Sequence, residues 1–177
     1  MKLSIILPVR NEAKGISKTL DLICAGIDQI DYEIIAVNDF SDDDTYNIIS
    51  KKKDSISKIK LFDNAKKGLG GAINLGIEKS NGDAICIMMA DLSDDINDLK
   101  KYYEMIQSEN VDAIFGSRFI KGSNVSDYPI KKLFLNRIFN YITKFIFFSN
   151  YNDFTNAFKI YKKESLLRSM PLVSESF

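Results

Sequence analysis

Between Ser80 and Asp95 the chain reads Ser-Asn-Gly-Asp, then the apolar stretch Ala84 to Met89, then Ala-Asp-Leu-Ser-Asp-Asp. The first four residues have turn chemistry. A short continuous apolar run marks a strand covered on both faces. Asp91, Asp94 and Asp95 then fall at the carboxyl end of a strand, where open α/β sheets bind ligands. Carboxylates with no adjacent Lys or Arg suit a hard cation such as Mg²⁺ or Mn²⁺ held against a diphosphate. The same letters also read as a helix start, with Ser93, Asp94 and Asp95 capping a helix through Leu99 and Tyr103.

Other strand ends carry further chemistry. Lys2 to Val9 reads as a strand ended by Pro8, since proline cannot donate to a ladder, with Asn11 and Glu12 beyond it. Tyr32 to Val37 is a second strand, running into the acidic loop Asn38-Asp39-Phe40-Ser41-Asp42-Asp43-Asp44-Thr45 and a helix Asp44 to Lys52. Ile59 to Phe62 is a third. Gly68, Gly70 and Gly71 then open a helix Ala72 to Lys79; they suit either phosphates at a helix N-terminus or close packing. Their spacing matches neither the dinucleotide fingerprint nor the P-loop.

The elements that must position these residues alternate. Ile16, Leu20, Ile23 and Ile27 recur at helical spacing after the first strand. A helix Ile96 to Ser108 follows the acidic strand end. Ala113 to Ser117 is another strand, ending at Arg118. A polar loop Lys121 to Tyr128 leads to a Phe- and Ile-rich helix, Lys131 to Phe148. Residues 150–158 read as irregular, and Lys159 to Tyr161 as a further strand. Alternating strands and helices imply an α/β fold with a mostly parallel central sheet flanked by helices.

At 177 residues the expectation is one domain, and 45% hydrophobic content allows a sizeable core. Formal net charge is +0, which gives no support for a nucleic-acid partner. His is absent, which excludes His-based catalysis and His metal ligands. Cys24 and Cys86 lie in apolar contexts, as buried thiols of a reducing compartment do. No signal peptide or apolar run of membrane-spanning length is visible. These points together suggest a cytoplasmic protein. The ending Ser174 to Phe177 has no cap or tail character and reads as cut from something longer.

The succession Pro8-Val-Arg-Asn-Glu12, Asn38-Asp-Phe-Ser41, Gly68-Leu-Gly-Gly, Gly82-Asp83, Ala90-Asp91, Gly116-Ser-Arg118 and Asp153-Phe-Thr-Asn-Ala-Phe-Lys159 resembles a family 2 glycosyltransferase of the A-type nucleotide-sugar fold. It is most similar to the dolichol-phosphate or polyprenyl-phosphate sugar transferases. The resemblance implies one catalytic domain over 1–177, taking a nucleotide-diphosphate sugar. It implies that Pro8, Asn11, Glu12, Asn38, Asp39, Ser41, Gly68 and Ala90 line the nucleotide. Asp39 would accept a base N–H and Glu12 the ribose hydroxyls. The family's Asp-Ala-Asp is here Met89-Ala90-Asp91. Methionine is a poor ligand for Mg²⁺, so Asp91, helped by Ser93, would hold Mg²⁺ or Mn²⁺ weakly. Arg118 matches the family's Gly-Ser-Arg and would clamp a phosphate. Lys132 and Asn136 stand where the family places residues for an acceptor phosphate. Asp153 is the candidate for general base or local electrostatics.

The implied reaction is inverting sugar transfer from a UDP- or GDP-sugar to polyprenyl phosphate. The alternatives are a saccharide acceptor, or nucleotide-sugar binding without turnover. From Leu133 to Phe148, Asn136, Arg137, Asn140, Thr143 and Lys144 share one narrow stripe, and the remainder is apolar. That pattern suits burial against the sheet or a homodimer partner. It equally suits a helix at the inner membrane surface, with Lys131, Lys132, Arg137 and Lys144 meeting anionic lipid.

Overall fold

The computed structural model describes residues 1–120, 123 and 129–170. The loop Lys121 to Tyr128, Ser123 apart, and the ending Ser174 to Phe177 lie outside them. The chain forms two compact units, one of Met1–Ile114 together with the chain from Phe158, the other of Phe115–Ala157.

Strands β1 (Leu3–Val9), β2 (Tyr32–Asn38), β3 (Ile59–Asp63), β4 (Ala84–Ile87), β5 (Ala113–Phe115) and β6 (Lys159–Lys162) form one sheet in the order β3-β2-β1-β4-β6-β5. β1 to β4 run parallel and β6 is antiparallel to β4. Every residue of β1 and β2 is buried, which is why both read as unbroken apolar runs rather than alternating ones.

Alternation along β1 sorts the two faces. Leu3, Ile5, Leu7 and Val9 pack with helix α1 (Ile16–Gly26), Ile49 of α2 (Thr45–Ser55), and Leu99, Tyr103 and Ile106 of α4 (Ile96–Ser108). Ile6 packs on the opposite face with Ile77 of α3 (Leu69–Lys79), Ile85 and Leu166. Gly76 lets α3 approach closely, because a Cβ there would stand 2.4 Å from Ile6 Cγ2.

Pro8 does not end β1; the strand runs through it to Val9. Ile6 C=O receives Met88 N–H from the β4 side, while Val9 C=O receives Asp39 N–H from the β2 side. Even-numbered residues of β1 therefore address β4, and the paired register of β4 ends at Ile6–Ile87. The missing proline N–H faces the side where no ladder remains, so it costs no strand bond. β4 likewise stops two residues short of the expected Met89, and α3 starts three residues earlier than expected, at Leu69.

At the opposite end of the sheet a polar cluster ties four segments together. Ser4 and Glu33 are register partners on β1 and β2, and Ser4 Oγ donates to Glu33 Oε1 at 2.7 Å. Lys60 Nζ of β3 donates to Oε2 at 2.7 Å and Asn81 N–H to Oε1 at 2.6 Å, while Gly82 N–H donates to Ser4 Oγ at 2.8 Å. Glu33 is 2% exposed. Burial pushes its pKa up, but the bonds from Lys60, Ser4 and the Asn81 N–H outweigh that and bring it from 4.5 down to about 2. A depressed carboxyl pKa contributes stability above the unfolded value that is lost as pH falls through the folded one. Glu33→Gln should therefore cost about 1.5–3 kcal/mol near neutral pH, from lost charge-assisted bonds. In urea unfolding the gap should narrow between pH 4.5 and about 2; a pH-independent gap would contradict this.

Candidate functional site

In the sheet unit the sequence-derived candidates gather at the carboxyl ends of β1, β2 and β4. Three successive amides after β1 donate to side chains after β2. Asn11 N–H reaches Ser41 Oγ at 3.1 Å, Glu12 N–H reaches Thr45 Oγ1 at 2.8 Å, and Ala13 N–H reaches Asp43 Oδ2 at 3.0 Å. Asp42 N–H returns a bond to Asn11 Oδ1 at 2.8 Å. Side chains of a polar loop thus satisfy amides that have no ladder partner.

Asp39 is almost fully buried. Its Oδ1 accepts Asn64 Nδ2 at 2.7 Å and Gly68 N–H at 2.8 Å. Gly68 has φ 132°, a backbone open to glycine and not to other residues, and it heads α3. The glycine-rich loop is therefore anchored by the residue expected to meet the base. Asn38 is also committed: Nδ2 donates to Asp63 Oδ1 at 2.8 Å and Oδ1 accepts Ser41 N–H at 3.3 Å. Asn64 and Thr45 escaped sequence reasoning, since each looks like an ordinary loop polar residue until its burial is known.

At the end of β4, Thr19 Oγ1 of α1 donates to the Ala90 carbonyl at 2.9 Å. Asp91 is exposed, and its Oδ1 accepts Ser93 N–H at 3.0 Å. Asp94 Oδ2 accepts Met89 N–H at 2.8 Å, and Asp95 caps α4 by accepting Asn97 N–H at 2.8 Å. Asp95 thus takes the capping role open in the sequence. Among the described residues no group of three or more His, Cys, Asp or Glu could hold a metal by itself. The donors present fit only a cation shared with a diphosphate, with Asp91 the one exposed carboxylate of the Met-Ala-Asp triplet. The Glu12 carboxyl is raised above the ordinary range by partial burial, then by the charges of Asp91 and Asp43.

The same rim holds strained backbone. Asn11, Phe40 and Leu92 have φ of 56°, 56° and 65°. Asn tolerates that region; Phe and Leu rarely adopt it. A surface hollow of about 320 Å³ lies elsewhere, lined by Ser17, Ile48, Lys51, Lys52 and Ser55, and includes none of the candidates.

The second unit is built on α5 (Ile130–Ile146). The one buried residue of this helix is Asn140, which donates to Asn136 O and Oδ1 and accepts Phe154 N–H at 2.6 Å. Thr155 Oγ1 donates to Asn136 Oδ1 at 2.6 Å. The polar stripe read from the sequence is the least exposed face, and the apolar face lies open, with Phe134 66% and Phe145 78% exposed. Arg118, Asp153 and Asn136 join one network. Asp153 is fully buried, and its Oδ2 accepts Arg118 N–H and Nε–H, both at 2.9 Å, while Oδ1 accepts Nη2–H at 2.7 Å. Arg118 Nη2 also donates to Thr155 Oγ1 at 2.9 Å. Both oxygens of Asp153 are thus turned to holding the guanidinium. Lys132 is exposed on the first turn of α5.

The sequence matches the family described as Glycosyl transferase family 2 over residues 4–168. The chain belongs to that family. It is 31% identical over 140 residues to dolichol-phosphate mannosyltransferase of Pyrococcus furiosus, covering 77% of this chain and 39% of that protein. It is 26% identical over 170 residues to glycosyltransferase AglD of Haloferax volcanii, covering 93% of this chain and 27% of that one. The chain thus spans well under half the length of either relative. Glucosyl-3-phosphoglycerate synthase of Mycobacterium tuberculosis, solved with Mn²⁺, UDP and phosphoglyceric acid, superposes with TM-score 0.69 at 18% identity, covering 96% of this chain and 58% of that one. That likeness makes the sheet unit of this family 2 chain a glycosyltransferase A-type fold. Asp153→Asn should destabilise this chain by about 3 kcal/mol, because it breaks a pair whose carboxylate is buried. A loss below about 0.5 kcal/mol in chemical unfolding would mean solvent screens the pair.

Proposed function

We propose that this chain is the donor-binding and catalytic part of an inverting glycosyltransferase that moves a sugar from a UDP- or GDP-sugar to a polyprenyl phosphate. The observation that carries this reading is family membership together with 31% identity to a dolichol-phosphate mannosyltransferase. Asp39 accepts the base N–H while anchoring Gly68, and Glu12 meets the ribose hydroxyls, with Pro8, Asn11, Asn38, Ser41 and Ala90 around them. Asp91, with Ser93, would hold Mg²⁺ or Mn²⁺, and the cation would supply charge neutralisation for the diphosphate.

The acceptor phosphate is ionised at neutral pH and needs no general base. Its oxygen forms a bond to the anomeric carbon as the bond to the diphosphate breaks and the diphosphate leaves with the electron pair. Asp153 therefore acts as a positioning residue, aiming the Arg118 guanidinium at a phosphate. Lys132 and Asn136 receive the acceptor. Met89 favours a second reading, nucleotide-sugar binding without turnover, since it removes a ligand. Transfer assays with UDP- and GDP-sugars and a short polyprenyl phosphate, with and without Mn²⁺, separate the two. Transfer is expected to need high Mn²⁺, and Met89→Asp is expected to lower that requirement. Nucleotide binding with no transfer, in either variant, would favour the binding protein.

The acceptor reading draws on α5. From Pro129 to Asn152 the chain has no Asp or Glu, while Lys131, Lys132, Arg137 and Lys144 accompany the open apolar face. Among the described residues no helix is long and apolar enough to cross a membrane. An interfacial helix on the cytoplasmic side, attracted to anionic lipid, fits these facts. Flotation with anionic vesicles should show salt-sensitive binding, weakened by Lys131→Glu with Lys132→Glu. Protein that stays in the soluble fraction at low salt would instead favour a dimer interface or another covering segment.

A further inference from the structure

Phe40 combines two features that oppose each other unless something outside the fold uses its ring. Its φ of 56° belongs to a region that bulky side chains rarely adopt and glycine accepts freely. Such strain persists where the surroundings over-determine it, and it gathers at ligand sites. Burial of the ring does not supply the compensation, because Phe40 is 45% exposed, against the usual burial of Phe. The surroundings that impose the conformation are polar: Ser41 N–H donates to Asn38 Oδ1, Ser41 Oγ accepts Asn11 N–H, and Asp39 N–H donates to Val9 O. The loop therefore holds a bare aromatic ring next in sequence to Asp39, at the carboxyl end of β2, where α/β sheets receive ligands.

We infer that Phe40 is a stacking platform for the nucleobase of the donor, next in sequence to the residue whose carboxylate accepts the base N–H. This rests on the donor reading above and adds a base-binding residue to it. A phenyl ring has no hydrogen-bonding handle, so it takes the flat face of either a pyrimidine or a purine. Discrimination between bases is left to Asp39. Asn11, the strained residue at the neighbouring strand end, differs in kind, since its side chain is occupied in accepting Asp42 N–H.

Calorimetric titration of the whole chain with UDP and with GDP, beside melting curves without nucleotide, tests the inference. Phe40→Ala should weaken the nucleotide that binds by about tenfold, the loss of one base–aromatic stack. Phe40→Tyr should retain the native affinity. Phe40→Gly should lose as much affinity as Phe40→Ala yet melt higher than the native chain, because glycine accepts the positive φ. Unchanged affinity in Phe40→Ala overturns the role of Phe40 alone. A loss with UDP-sugar or GDP-sugar but not with UDP or GDP moves the ring to the sugar, and overturns it too. A lower melting temperature in Phe40→Gly means the ring serves the fold, with the same consequence. A native chain that binds neither nucleotide overturns the donor reading and this inference together.

Discussion

One carboxylate oxygen, Asp39 Oδ1, ties together the rim on which the candidate site depends. It accepts from Asn64 after β3 and from Gly68 at the head of α3, while the backbone N–H of the same residue bonds Val9 of β1. A buried carboxylate is tolerated only when donors surround it. Here those donors come from separate segments. Satisfying Asp39 therefore fixes the loop after β3 and the start of α3 against the end of β2. The amides of Asn11, Glu12 and Ala13 then extend the same principle to the loop after β1. Loops held in this way can carry strained residues such as Phe40 and Leu92, because the polar bonds around them over-determine the backbone.

The second unit inverts the usual logic of an amphipathic helix. Helix α5 turns Asn136 and Asn140 toward Phe154 and Thr155, and leaves its Phe and Ile side chains in solvent. Hydrogen bonds to backbone N–H and side-chain hydroxyl groups, rather than apolar burial, hold the helix against its own unit. The Asp153–Arg118 pair belongs to the same economy of polar contacts, with a fully buried carboxylate serving both the backbone and the guanidinium of Arg118. An open apolar face of that breadth, beside basic residues and without acidic ones, is the feature on which the proposed interfacial role of this helix rests.

The acidic end of β4 shows how misleading composition is when read alone. Asp94 and Asp95 look like ligands in a list, yet each is engaged by a nearby backbone N–H, of Met89 and of Asn97. Asp91 is exposed, and of its oxygens Oδ1 accepts Ser93 N–H, next to the strained Leu92. The chemistry available there is that of one carboxylate, which suits a cation carried in with a diphosphate better than a resident metal.

Much of the architecture was legible in the sequence because burial on both faces writes itself as unbroken apolar runs. β1, β2 and β4 were visible for that reason, and α1 and α4 through their helical spacing. The order of strand-end motifs was enough to identify the family, since each motif sits where a ligand-binding loop must follow a strand. Tertiary structure alone decided which partners those loop residues hold within the fold. That Asp39 anchors Gly68 depends on donors 25 and 29 residues further along the chain. The sense of α5 was hidden for the same reason. A stripe of Asn and Thr beside a broad apolar face specifies that the helix has two sides. Which side turns inward depends on hydrogen-bond partners that only the folded chain brings within reach.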